Sequence, residues 1–167
     1  MDAGLLLARL TFGVLMAAHG SQKLLGWFGG YGLAGTAGFF EALGFRPGRL
    51  FAAAAAGTEI VSGVLLAVGL FEPVAAALMV SVMVVAVIAV HWQHGLFAAS
   101  NGIELALLYG AGAAALTLTG PGAYSLDALF GFNAFWTPEV TWTALAIGIV
   151  AGLANVAIRR PAVAVAA

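Results

Sequence analysis

The sequence predicts an all-α membrane protein, a bundle of transmembrane helices with almost no soluble domain. Hydrophobic residues make up 63% of the 167 residues and charged residues only 8%. A soluble chain of this composition could not cover its surface with polar groups, whereas a bilayer favours long uncharged segments. The chain has no cysteine, which excludes disulfides and thiolate metal sites. Its net charge is −1 and no segment forms a basic stripe, which excludes a nucleic-acid partner.

Hydropathy places five apolar helices in one membrane domain that takes in all 167 residues. The predicted helices cover residues 4–25, 50–71, 73–92, 101–118 and 138–158. The first four belong to a core within residues 4–130, and the fifth is a C-terminal extension. The first helix is expected to be retained rather than cleaved, because Met1-Asp2 is not the basic start of a secretory signal.

Two connections are long enough to contain structure of their own. The segments 28–49 and 120–137 each include a short apolar stretch, at 36–44 and 124–130. We predict that each stretch forms a short helix lying in the membrane interface.

The distribution of charge predicts the orientation of the bundle. With five spans the basic residues at the helix ends share one side, namely Lys23, Arg46, Arg49, Arg159 and Arg160, and three acids share the other, namely Glu72, Asp127 and Glu139. The positive-inside rule then puts the N-terminus outside and the C-terminus in the cytoplasm.

Ionisable residues inside apolar helices are the candidate site, because a charge in the bilayer needs a partner or a cavity. These residues are Arg9, His19, Lys23, Glu59, His91 and Glu104, with His94 close behind. All except Arg9 fall in one leaflet of the predicted bundle. Glu59 lies near the bilayer centre, and we expect His19 or Lys23 of the first helix to be its partner.

Simpler roles remain open for the other groups. Lys23 could extend its charge to the membrane interface instead of pairing with Glu59, and Arg9 is expected to extend its charge to the interface. His91 and His94 could cap helix carbonyls, and Glu104 could complement a helix N-terminus. A metal site built on His91 and His94 is a weaker interpretation, because His-x-x-His at a helix end is not specific; no metal is assigned.

The chain resembles the DoxX family of small bacterial membrane proteins over about residues 5–130. Three stretches carry the resemblance near the N-terminus: His19-Gly20-Ser21-Gln22-Lys23-Leu24, Gly26-Trp27-Phe28-Gly29-Gly30, and Gly57-Thr58-Glu59-Ile60-Val61-Ser62-Gly63 with Val64-Leu65-Leu66. They continue with His91, Gly95-Leu96-Phe97, Asn101-Gly102-Ile103-Glu104 and the segment from Gly120 to Asp127. The fifth helix extends beyond the four-helix core that the family implies.

The resemblance implies a bacterial inner-membrane protein whose relatives include the membrane subunit of a thiosulfate:quinone oxidoreductase. It favours a quinone-linked redox subunit, with Glu59 and His19 as proton-transfer (catalytic) positions and Lys23, His91 and Glu104 contacting the quinone. The expected partners are the lipid bilayer and other membrane or redox subunits, with a homo-oligomer as a further option. No motif for a covalently attached cofactor is present.

Two other functions stay open. In a non-catalytic structural or accessory subunit of a larger complex, the polar cluster would be internal packing. A small-molecule or proton transporter is the third interpretation, disfavoured by the small number of spans.

Overall fold

The computed structural model describes residues 1–160, and residues 161–167 of the predicted domain lie outside it. The described chain is built of helices: α1 Asp2–Leu25, α2 Gly32–Ala42, α3 Gly48–Val68, α4 Glu72–Ala86, α5 Glu104–Thr119, α6 Leu126–Phe130 and α7 Pro138–Ala157. Short 3-10 turns cover Trp27–Gly29, Ala98–Ser100 and Phe132–Phe135. The predicted helical bundle is confirmed.

Within residues 1–160, four helical segments are long and apolar enough to cross a membrane. They are Asp2–Leu25, Gly48–Val68, Glu72–His94 and Pro138–Ala157. The fifth, α5, has only 16 residues, or about 24 Å at about 1.5 Å per residue. It begins at Glu104 rather than at the predicted residue 101, because residues 95–103 form a hydrogen-bonded turn in which Ile103 N–H donates to the Gly95 carbonyl at 3.0 Å.

The long helices run alternately up and down between two ends of the bundle, so α1, α4 and α7 run in one direction and α3 and α5 in the other. At one end α1 and α4 finish and α3 and α5 begin. At the other, a short turn joins α3 to α4, and the segment 120–137 returns from α5 to α7. The C-terminal end of α7 lies at the same end of the bundle as the start of α3, because the Arg160 N–H that follows α7 donates to the Gly44 carbonyl at 2.8 Å. We refer to these as the Lys23 end and the Glu72 end.

Small residues allow the two most closely packed helices, α1 and α3, to approach each other. A Cβ added at Gly20 would lie 2.6 Å from the Ala56 carbonyl oxygen, and one at Gly63 would lie 2.5 Å from the Gly13 carbonyl oxygen. Such contacts require backbone atoms to move, so glycine is needed at both positions. The close approach places one face of α1 directly against α3.

The outer surface is apolar and the core is dominated by small and flexible side chains. Exposed positions include Leu7, Val14, Val64 and Ile147, while Met79 and Leu66 are fully buried. Exposed aliphatic residues of this kind suit a surrounding hydrocarbon phase. The two predicted short helices are present as α2 and α6, and α2 packs on α1 and α3.

Candidate functional site

Glu59 and Lys23 form an ion pair between α3 and α1 at the Lys23 end. The Glu59 side chain is only 2% exposed, whereas that of Lys23 is 35% exposed. The close packing at Gly20 brings the two helices near enough for this contact. The predicted proximity of Glu59 to Lys23 is therefore confirmed.

The pair leaves one carboxylate atom without a partner. Lys23 Nζ contacts Glu59 Oε1, and Glu59 Oε2 is buried with no hydrogen bond among the described residues. A buried acceptor without a donor is costly, so this oxygen is a position for a bound donor or a proton.

Next to the pair lies a cavity of about 190 Å³ at the Lys23 end. Its walls include the side chains of four predicted site residues and two others, namely His19, Lys23, Glu59 and His91 with Met16 and Tyr109. Polar groups from α1, α3 and the end of α4 thus converge on one space. We call it the Glu59 cavity.

The hydrogen bonds of the two histidines fix which ring nitrogen carries the proton. His91 Nδ1 lies 2.7 Å from the Asn101 carbonyl, which can only accept. Gln22 donates its amide N–H to the Phe28 carbonyl, which turns its oxygen toward His19 Nδ1 at 3.2 Å. Each Nδ1 is therefore a donor, and in the neutral ring each Nε2 is an acceptor.

A widened turn places His91. After Ala86 the helix continues as a π-helical segment, Val87–His91, followed by a 3-10 turn to His94. π-segments insert an extra residue into a helical turn and are frequent at functional sites. The sequence carries no clear signal for it, since the segment is uniformly apolar up to His91.

Two predicted residues lie elsewhere. Glu104 does not line the Glu59 cavity; its Oε2 accepts the Ala98 N–H at 2.7 Å and closes the turn before α5. His94 is exposed, and its carbonyl accepts the Ser100 hydroxyl at 2.8 Å. Residues 1–160 contain no group of three or more His, Asp or Glu side chains arranged to hold a metal ion.

An apolar groove of about 680 Å³ runs between α4, α5 and α7. Met83 and Ala106 line both this groove and the Glu59 cavity. Toward the Glu72 end the groove reaches Leu118 and Trp142. The polar cavity therefore opens beside a surface suited to a hydrocarbon tail.

A second buried polar cluster lies at the Glu72 end. From the sequence alone, Arg9 at this end is expected to extend to the membrane interface. Arg9 is fully buried and donates to the Tyr124 carbonyl, so the expectation that it extends to the interface is wrong. The reason is that the 120–137 segment folds over it and supplies both the acceptor and the acid Asp127. Arg9 interacts electrostatically with Glu72 and Asp127.

Asp127 organises this end of the bundle. Its carboxylate accepts the backbone N–H groups of Phe71 and Glu72 at 2.8 and 3.0 Å and the indole N–H of Trp136 at 2.8 Å. It thus caps the N-terminus of α4 from a distant part of the chain. The only signal for this cluster in the sequence was that the base Arg9 and the acids Glu72 and Asp127 fall at the same predicted end of the bundle.

Fold and composition together define a multi-pass helical-bundle membrane protein with buried polar groups. The chain belongs to the DoxX family: the family model matches residues 4–92, just over half of the chain, from α1 through the π-segment. The later motifs that resemble the family lie beyond the matched region. Comparison with curated proteins and with solved structures finds no match.

Proposed function

We propose that this protein is the quinone-binding membrane subunit of a redox system. The observation that carries the proposal is the Glu59 cavity, where a partly buried ion pair and two histidines lie beside an apolar groove. A quinone combines a headgroup with two carbonyl acceptors and an apolar tail, and it takes up two electrons and two protons when reduced. The cavity and the groove match these two parts.

Within this site the chain's own residues bind the headgroup and manage protons. Lys23, as an ammonium donor, is suited to hydrogen-bond one carbonyl. The protonated His19 Nδ1 bonds Gln22, so His19 would contact a ligand through Nε2, and it would donate only as imidazolium. Glu59, with one free oxygen, is suited to hold and release a proton next to the headgroup. The electrons come from a partner redox subunit.

Quinone binding to purified protein tests the proposal. The full chain would be placed in lipid nanodiscs and titrated with a decyl-tailed benzoquinone, with tryptophan fluorescence as the readout. We expect saturable binding. At a pH low enough to make the rings imidazolium, so that Nε2–H can donate to a quinone carbonyl, His19→Ala and His91→Ala should weaken it by the loss of a hydrogen bond, about 1 kcal/mol or roughly fivefold. Glu59→Gln should retain binding but impair proton-coupled turnover once the partner subunit is supplied.

A non-catalytic accessory subunit is the competing function, and one observation favours it. The Lys23–Glu59 pair already links α1 to α3, as internal polar packing would. Absence of quinone binding by the wild type, together with loss of complex assembly in the Lys23 and Glu59 variants, would establish that function and refute the quinone site.

A further inference from the structure

Glu72 forms a second candidate binding site, at the end of the bundle opposite the Glu59 cavity. Its side chain is 1% exposed, and neither carboxylate oxygen has a hydrogen-bond partner among the described residues. The residue lines a cavity of about 400 Å³, which is within the size range of small-molecule sites.

The buried ionisable groups around the Glu72 cavity are two acids and one base. Arg9 and Asp127 are both buried next to Glu72. Asp127 has its oxygens occupied by three donors. Among the described residues Arg9 forms no ion pair with either acid, and its Nε and Nη1 are buried without a hydrogen-bond partner. When both acids are ionised, the cluster carries one more negative than positive charge, and Glu72 is the acid whose oxygens have no donor among the described residues.

The other walls of the cavity present acceptors and aromatic rings. Thr117 is 5% exposed and its hydroxyl is also without a partner. Thr119, Asn133, Trp136 and Trp142 are also among the residues that line the cavity. Aromatic faces attract cations, and hydroxyl and carboxylate oxygens accept from N–H groups.

We propose that the Glu72 cavity binds a small primary alkylammonium ion. Its N–H groups would donate to Glu72 and Thr117, its charge would offset the carboxylate, and its alkyl part would lie against the two indoles. A bare metal cation fits less well, because a single protein carboxylate is available to it, whereas hard cations require several charged or carbonyl oxygens. The proposal is independent of quinone binding.

Calorimetric titration of the full chain in nanodiscs of zwitterionic lipid, with butylammonium as the probe, tests the site. We expect saturable binding by the wild type and a loss of roughly tenfold or more in Glu72→Gln, because a charge-assisted hydrogen bond is removed. Glu139→Gln is the matched control, because the Glu139 carboxylate is exposed at the same end of the bundle. This variant should bind butylammonium with the affinity of the wild type. Butanol, which has the same chain without the charge, should not compete.

A second variant keeps the test decisive if Glu72→Gln does not fold. Thr117→Val preserves side-chain shape and removes the free hydroxyl, and it should weaken butylammonium binding roughly threefold. Lys23→Met, in the Glu59 cavity, should leave it unchanged. Equal affinity of wild type and Thr117→Val, or of wild type and Glu72→Gln, overturns the proposal, as does the absence of saturable binding by the wild type.

Discussion

Lys23 Nζ and Glu59 Oε1 are in contact across the α1–α3 interface, with the lysine partly exposed and the glutamate buried. This difference in exposure decides what removal of either residue costs the other. A half-exposed ammonium can reach solvent, but a carboxylate at 2% exposure cannot. Glu59 therefore depends on Lys23 more than Lys23 depends on Glu59.

Removing the lysine should destabilise the protein more than removing both charges. We expect Lys23→Met to lower the free energy of unfolding by roughly 1–3 kcal/mol and the double variant Lys23→Met with Glu59→Gln to recover part of this loss. Thermal unfolding of the four proteins in one detergent gives the coupling energy. If the two single effects simply add, the ion pair contributes nothing to stability.

The α1–α3 contact can be tested through its glycines. Gly20→Ala should destabilise the bundle and weaken the Lys23–Glu59 pair, because the new Cβ would lie 2.6 Å from a backbone oxygen. Gly57→Ala on α3 is the matched control: its Cβ would meet nothing within 4 Å, so it should be neutral or stabilising by up to about 1 kcal/mol. Comparable melting temperatures for the two variants would contradict this account of the interface.

The Asp127 cap predicts a graded loss of stability. Trp136→Phe removes one of its three donors and should cost about 1–2 kcal/mol. Asp127→Ala removes the acceptor from all three donors and one of the two acids that interact electrostatically with Arg9, so the loss should be larger, about 3 kcal/mol or more. Denaturation in a fixed detergent measures both, and a smaller effect for Asp127→Ala than for Trp136→Phe would show that the carboxylate is not the centre of the network.

Much of the fold follows from the sequence because the bilayer imposes a length on each helix. The long apolar segments predicted α1, α3 and α7 to within three residues. The predicted segment 73–92 covers α4 together with the π-segment that follows it. The pairing of Glu59 with Lys23 followed from the cost of an isolated charge at that depth.

The Glu72 end could not be predicted in the same way. Arg9 near the end of an apolar helix and Glu72 in the first turn of another are both patterns typical of interfacial residues. Their burial depends on Asp127, which reaches them only because the 120–137 segment folds back over the bundle. The π-segment that ends at His91 likewise has no signal in the uniformly apolar sequence before the histidine.

The topology itself is open to direct measurement. Because Arg160 contacts Gly44 and α5 runs between the two ends, reporter fusions after residue 160 and within residues 120–136 should lie on opposite sides of the membrane. The positive-inside rule places the fusion after residue 160 in the cytoplasm. Fusions that report the same side would mean that α7 does not cross.

The apolar groove provides the last prediction, since it separates recognition of a quinone's tail from recognition of its headgroup. Ala111 lines the groove on α5, and Ala111→Leu would narrow it without touching the Glu59 cavity. We expect this variant to bind a decyl-tailed quinone roughly tenfold or more weakly, as burial of about two or more methylene groups is lost at about 0.8 kcal/mol each. Binding of the tail-less headgroup at higher concentration should be unchanged.

Ala154→Leu is the control, because Ala154 is exposed on α7 and lies outside the groove lining. Equal weakening for tailed and tail-less quinones would show that Ala111→Leu acts on the protein as a whole. Equal affinity of Ala111→Leu and Ala154→Leu for the tailed quinone would place the tail elsewhere on the bundle.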